Sequence, residues 1–337
     1  MKKIVCFGEA VLRLGGVGIE PLLASSTLRC YFGGAEANVA VSLAHFGLDA
    51  RFTTVLPENR LGDACLSELR RHGVNTDSVR RALGRMGLYF LSPGALLRPA
   101  QIIYDRAESA FARADAAGYD WDALLQDACW LHLTGITPAL SKAAESAWLD
   151  AAAAASKHGI PISFDCNFRP ALWRGRERDA SQILRAVAEK ASLLFGGPRD
   201  AELLFGDDVG ADPPESAFRR AAATIFAACP KLEYIATNHR VVHTAENHEL
   251  TGFLAERRGI YATAPMTLQP IVDRIGSGDA FAAGVLFGLC QKLGAQQTLE
   301  FALAAAALKH GLAGDLNMAS ALDVFSLLQS RNRDVQR

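Results

Sequence analysis

Short apolar runs and helix-period segments take turns along almost the whole chain, and this alternation constrains the fold more than any other feature. Residues 3–7, 51–56, 87–91, 101–104, 130–133, 160–164, 192–195 and 234–237 read as strands. Helices are expected at 35–46, 62–72, 142–157, 178–190 and 215–228, with three apolar helices closing the chain at 279–293, 298–311 and 320–330. Neighbouring parallel strands need a crossover, usually a helix, which packs back on a sheet face. The pattern therefore predicts an α/β three-layer sandwich with a mostly parallel central sheet and helices on both faces. Segments 10–34 and 86–106, rich in glycine and arginine, suit such layers poorly. They predict a small accessory sheet acting as a lid, because ligands in such folds lie beyond the carboxyl ends of the strands. No repeat or low-complexity linker interrupts the chain, so residues 1–337 are expected to form one domain, with 206–214 as a surface loop.

Composition excludes several classes. Half of the 337 residues are hydrophobic and 21% are charged, which supports a sizeable core and rules out disorder. Thirty-five basic against 36 acidic residues leave a net charge of -1, giving no general attraction to nucleic acid or anionic membranes. The seven cysteines are odd in number and form no CxxC pair, so buried reduced thiols are expected. Glu9 and Arg13 break the first apolar run, which reads as a strand and not a signal peptide, and no run of eighteen apolar residues occurs. A soluble cytoplasmic protein is expected.

The chemistry concentrates in Asp273-Arg-Ile-Gly276-Ser277-Gly278-Asp279-Ala-Phe-Ala-Ala-Gly284. A glycine-flanked turn opens here into a long apolar helix. Gly276 and Gly278 let the backbone approach a ligand, and the helix start presents free N–H groups, together an anion hole for a transferring phosphoryl group. A carboxylate beside a phosphate is repelled unless it has a task, and Asp279 could take the proton of an attacking hydroxyl. The plain alternative is an ordinary helix cap. Neither a dinucleotide fingerprint nor a Walker A sequence is present.

Residues 273–284 resemble the signature D-x-x-G-A/S-G-D-x-F-x-x-G of the PfkB (ribokinase-like) carbohydrate kinases, and Gly33-Gly34-Ala35-Glu36-Ala37-Asn38-Val39-Ala40 resembles that family's sugar-binding Gly-Gly-x-x-x-Asn-x-Ala. Within the family, 164–173, containing Asp165, Asn167, Arg169 and Trp173, resembles an element of the 2-keto-3-deoxygluconate kinases, as do 87–90, 104–106 and 133–136. The resemblance implies a ribokinase-like fold and ATP-dependent, Mg²⁺-assisted phosphorylation of a sugar acid's primary hydroxyl. It implies Asp279 as base, with Gly276, Ser277 and Gly278, and the N–H groups of 275–278, around the phosphoryl group. Gly34, Asn38, Tyr89, Tyr104, Arg106, Asn167, Arg169 and Asp315 would hold the sugar acid, whose carboxylate suits bidentate arginine. Asp315 has an ordinary helix cap as its alternative. Arg13 is a further candidate, where neutral-sugar relatives often carry an acid, with a lid-surface charge as its alternative. Mg²⁺ is expected to ride on the nucleotide without a protein cage.

Two departures bear on the nucleotide. Where many members have Asn-x-x-Glu, this chain has Arg199 and keeps only Glu202. The usual Lys/Thr-x-Gly-x-x-Gly turn is replaced by Thr237-Asn-His239-Arg240-Val-Val-His243, without glycine, so a different turn is expected, with Arg240 able to meet a phosphate. His239, His243 and His248 lack companion ligands and read as strand or hairpin surface, with no metal site. Three readings remain open: a kinase for fructose, ketodeoxygalactonate or a nucleoside; a catalytically silent sugar-acid binder; and, more weakly, a dehydrogenase. A homodimer through the lid is expected.

Overall fold

A computed structural model describes residues 3–24, 26–207 and 212–329. Positions 208–211 of the expected 206–214 loop, and the end of the last expected helix at 330, lie outside the described residues.

The strand Lys3–Phe7 shows why the chain forms layers. All five residues are buried, and alternate side chains enter different cores: Ile4 and Cys6 join one cluster, Val5 and Phe7 the other. Side chains in a strand alternate between faces, so a strand with no exposed face must be covered on both sides. Nine strands form the main sheet. Six run parallel in the order Asp49–Thr53, Lys3–Phe7, Ala128–Thr134, Ile162–Asp165, Leu193–Phe195 and Tyr234–Thr244. Asn247–Glu256, Gly259–Ala262 and Met266–Leu268 add an antiparallel edge. One face buries Trp148 of helix Lys142–Lys157 edge-on against Phe164, with ring centroids 5.6 Å apart. The other face packs helices Ala35–His45, Ser277–Cys290 and Ala295–His310. The predicted three-layer, mostly parallel α/β architecture is present.

The second sheet is also where the sequence placed it. Arg29–Gly33, Val11–Gly15, Gly87–Ser92 and Gln101–Asp105 form four strands in that order, all within 10–34 and 86–106. Buried ion pairs tie it to the body. Arg106 Nε donates to Glu9 Oε2 at 2.6 Å, while Arg13 bridges Asp273 at 2.6 Å and Asp315 at 3.0 Å.

Several local expectations are corrected. The expected strand 51–56 is two: Asp49–Thr53 stays in the main sheet, and Val55–Pro57 leaves it to pair with Arg80–Ala82. The expected turn after Thr237 does not exist. The strand continues to Thr244 and returns as Asn247–Glu256, with Thr237 opposite Phe253 and Arg240 opposite Leu250. Thr237, Val241, Val242 and Thr244 are β-branched and favour extension over a turn. His239 and His243 are exposed on this hairpin as expected, but His248 is buried, 6.2 Å from the His310 ring. Cys6, Cys65, Cys166 and Cys229 are buried thiols as expected, but Cys30, on a strand of the small sheet, is exposed, and Cys129 and Cys290 are half-buried.

Candidate active site

A cavity of about 670 Å³ opens at the carboxyl ends of the parallel strands, between the main and small sheets. Most of the site residues expected from sequence line it: Gly34, Asn38, Tyr89, Tyr104, Arg106, Asn167, Arg169, Arg199, Thr237, Arg240, Gly276, Ser277, Gly278, Asp279 and Asp315. Arg13 lies behind the wall, buried between Asp273 and Asp315 and not on the lid surface. Glu202 is exposed and off the cavity; Asp200, three residues into the helix opening at Pro198, lines it and caps that helix through Gly197 N–H at 2.8 Å.

The turn before helix Ser277–Cys290 is held from several sides. Asp273 Oδ1 accepts the Ile275 N–H at 3.0 Å, and its Oδ2 accepts the Gly314 N–H at 3.1 Å as well as Arg13. Gly276 has φ of 82°, and a Cβ there would lie 1.9 Å from the Asp315 carbonyl oxygen, so both conformation and space demand glycine. Ser277 N–H donates to the Arg274 carbonyl at 3.3 Å. The expected anion hole is thus corrected: the N–H groups of Ile275 and Ser277 are engaged, and those of Gly276, Gly278 and Asp279 have no protein acceptor among the described residues. Gly284 serves packing, since a Cβ there would lie 2.5 Å from Ala302 Cα on the neighbouring helix.

Asp279 stands in the first turn of this helix. Burial pushes its carboxyl up to about 6, against the hydrogen bond from Asn38 and the charges of Arg169 and Lys309. Asn38 Nδ2 donates to Asp279 Oδ2 at 2.7 Å. Asn38 is itself placed by Glu36, which accepts from Thr134 N–H, Thr134 Oγ1 and Thr137 Oγ1 and so fastens helix Ala35–His45 to the end of strand Ala128–Thr134. A carboxylate near 6 is mostly ionised at neutral pH yet basic enough to take a proton.

The charges of the cavity are unbalanced in a telling way. Arg106 is paired with Glu9, and Asp315 accepts from both Arg13 and the Tyr89 hydroxyl. Arg169, Arg199, Arg240 and Arg274 line the cavity, and among the described residues none of them forms an ion pair. Burial first, then the charges of Arg274 and Arg169, lower the Arg240 pKa. Four guanidinium groups gathered without partners fit a polyanion, with bidentate geometry for phosphate or carboxylate oxygens.

Sequence reasoning missed Arg274 and Asp165. Arg274 sits at an unspecified position of the signature, so nothing in the pattern marked it. Asp165 was visible as a strand-end carboxylate but was given no role. It accepts Asn167 N–H and Nδ2–H, both at 3.1 Å, and burial, then Asp279, push it up to about 8. Asn167 makes this fold-back with φ of 39°, which asparagine tolerates.

Comparisons with known proteins bear on the family and the fold. Residues 1–320 match the model of the pfkB family carbohydrate kinases. A 2-dehydro-3-deoxygalactonokinase of Haloferax volcanii is 30% identical over 337 residues, 99% of each chain. A 2-dehydro-3-deoxygluconokinase of Bacillus subtilis is 28% identical, covering 99% of this chain and 97% of its own. The solved 2-dehydro-3-deoxygluconokinase of Thermotoga maritima superposes with a TM-score of 0.93 at 34% identity, covering 98% of this chain and 100% of its own.

Proposed function

This chain belongs to the pfkB family of carbohydrate kinases, and on that premise we propose that it transfers the γ-phosphoryl group of ATP to the primary hydroxyl of 2-keto-3-deoxygluconate, giving 2-keto-3-deoxy-6-phosphogluconate. The observation that carries this reading is the pairing of a basic carboxylate with an anion hole under unpaired arginines: Asp279 and the free N–H groups of Gly276, Gly278 and Asp279 face a cavity lined by Arg169, Arg199, Arg240 and Arg274.

The sugar acid lies under the small sheet, against Gly34, Asn38, Tyr104 and Asn167, with Arg169 on its carboxylate. Arg106, Tyr89 and Asp315 shape this end of the cavity while holding Glu9, Arg13 and each other. Asp279 accepts the proton of the primary hydroxyl as that oxygen bonds to the γ-phosphorus. The bond from the γ-phosphorus to the bridging oxygen breaks, and ADP leaves with the electron pair. The free N–H groups stabilise charge gathering on the equatorial phosphoryl oxygens. Arg199, Arg240, Arg274 and Thr237 hold the nucleotide phosphates. Among the described residues no three His, Cys, Asp or Glu side chains gather to cage a metal. On this reading Mg²⁺ would ride on the nucleotide phosphates and neutralise their charge. With residues 1–337 acting as one domain, closure of the small sheet as a lid over the cavity would exclude water.

The reading places the protein in the cytoplasm, where ATP is available and buried thiols such as Cys6 and Cys166 stay reduced. It also includes a homodimer through the lid, whose outer strand leaves Ile103 58% exposed; sedimentation at micromolar concentration tests this. The 2-keto-3-deoxygalactonate epimer is the second reading, favoured by the Haloferax relative. The test is coupled ADP release with both keto acids, gluconate, fructose and ribose. Turnover confined to keto acids is expected, with the higher kcat/KM for the gluconate epimer. Turnover only with a neutral sugar would overturn the assignment.

A further inference from the structure

Lys309 is fully buried and has no part in the mechanism above. It stands in the last turn of helix Ala295–His310, and its ammonium donates to the Leu312 carbonyl at 2.9 Å, beyond the helix end. The same helix end accepts the N–H groups of Val272 and Asp273 on the His310 carbonyl, at 2.8 and 3.2 Å. A Cβ at Gly276 would lie 3.4 Å from Lys309 Cε and 1.9 Å from the Asp315 carbonyl oxygen. The lysine thus runs directly behind the turn that forms the anion hole. An ammonium out of water is costly unless carboxylates compensate it. Burial, the largest influence, lowers the Lys309 pKa, and Asp273, Asp315 and Asp279 oppose that fall and favour the charged form, with Arg13 working against them. Arg13 already forms close ion pairs with two of these acids, Asp273 and Asp315, leaving Asp279 without one among the described residues.

We propose that Lys309 is a positioning residue for phosphoryl transfer, an internal cation that ties residues 311–315 to the anion-hole turn and keeps Asp279 ionised as a base. This inference rests on the reading of Asp279 as the proton acceptor. The groups that face Asp279 are Asn38 from helix Ala35–His45, Arg169 and Asp165 from the end of strand Ile162–Asp165 and its loop, Asp315 from the closing loop, and Lys309 itself. Of these, Asn38, Arg169 and Lys309 favour the carboxylate, and Asp315 and Asp165 oppose it. Lys309 is the one cation of the set that approaches from the protein side, where no ligand can displace it.

The experiment uses the full chain, with wild type, Lys309→Met and Lys309→Ala assayed for ADP release with the keto acid from pH 5 to 9. In the Met variant kcat is expected to fall at least tenfold, with the KM for the keto acid changing less than threefold. The acid limb of kcat/KM is expected to move up by half a pH unit or more. In the Ala variant, ethylammonium should restore activity saturably, while the same concentration of tetramethylammonium should not. Wild-type levels of kcat and an unmoved acid limb in the Met variant would overturn the proposal. So would a fall in kcat with neither a shifted limb nor amine rescue, which marks a packing role alone. If both variants fail to fold, the proposal is also overturned, because the cation would then be a requirement of the fold. A wild-type protein silent with every acceptor would instead overturn the proposed function.

Discussion

The hydrogen bond from Asn38 to Asp279 offers a quantitative test of how this base is tuned. Its donor and acceptor lie 2.7 Å apart, and it is the largest influence opposing the burial that lifts Asp279 to about 6. A hydrogen bond to a charged group contributes about 1.5–3 kcal/mol, and 1.36 kcal/mol corresponds to about one pKa unit. Asn38→Leu keeps similar volume and removes the donor, so it should raise Asp279 by about 1–2 units, to between about 7 and 8. The base must be ionised to act, so a raised pKa removes activity at neutral pH and returns it at alkaline pH. At pH 7 the ionised fraction would drop from about 0.9 to between about 0.5 and 0.1. The kcat/KM of the variant should therefore be about two- to ninefold lower at pH 7 from this cause alone, and closer to wild type at pH 9. The profile is read as coupled ADP release at low keto-acid concentration, because kcat/KM reports the free enzyme. An acid limb left at the wild-type position, with activity reduced equally at every pH, would refute the reasoning and leave Asn38 as a substrate contact only.

Three further outcomes follow from the same geometry. Asp279→Asn should raise the melting temperature at pH 8: the folded-state pKa of about 6 lies above the ordinary carboxylate value of 3.8, so the carboxyl opposes folding once ionised, and the gain should vanish as pH falls toward 4. Gly284→Val forces side-chain atoms into Ala302, whose Cα would lie 2.5 Å from the new Cβ; denaturant titration should show a loss of about 1–3 kcal/mol or more. Arg169→Met should raise the keto-acid KM at least tenfold while changing the ATP KM less than threefold, and equal effects on both would move Arg169 to the nucleotide.

The layered fold was legible because its central strands carry their burial in their composition: a run such as Lys3–Phe7, buried on both faces, has no place outside a covered sheet. The small sheet was legible for the opposite reason, since 10–34 and 86–106 could not fill such a layer. The anion-hole turn and Asp279 were legible because glycine requirements are local. Partnerships were not. Nothing in the sequence pairs Arg106 with Glu9, or Arg13 with Asp273 and Asp315, which are separated by 97, 260 and 302 positions. The missing glycines at 237–243 signalled a change but not its form, because the long hairpin depends on pairing with 247–256. Arg274 was hidden at a variable position, and nothing in the sequence marks Lys309 as buried behind the turn.

The central claim is that Asp279 takes the hydroxyl proton beside an anion hole. Asp279→Asn tests it most directly, since asparagine keeps the shape and loses the base. With ATP, Mg²⁺ and 2-keto-3-deoxygluconate, kcat should fall by about 10²–10⁴-fold, with the keto-acid KM within a few-fold of wild type. A variant that keeps more than a tenth of wild-type kcat across pH 6–8 would contradict the account.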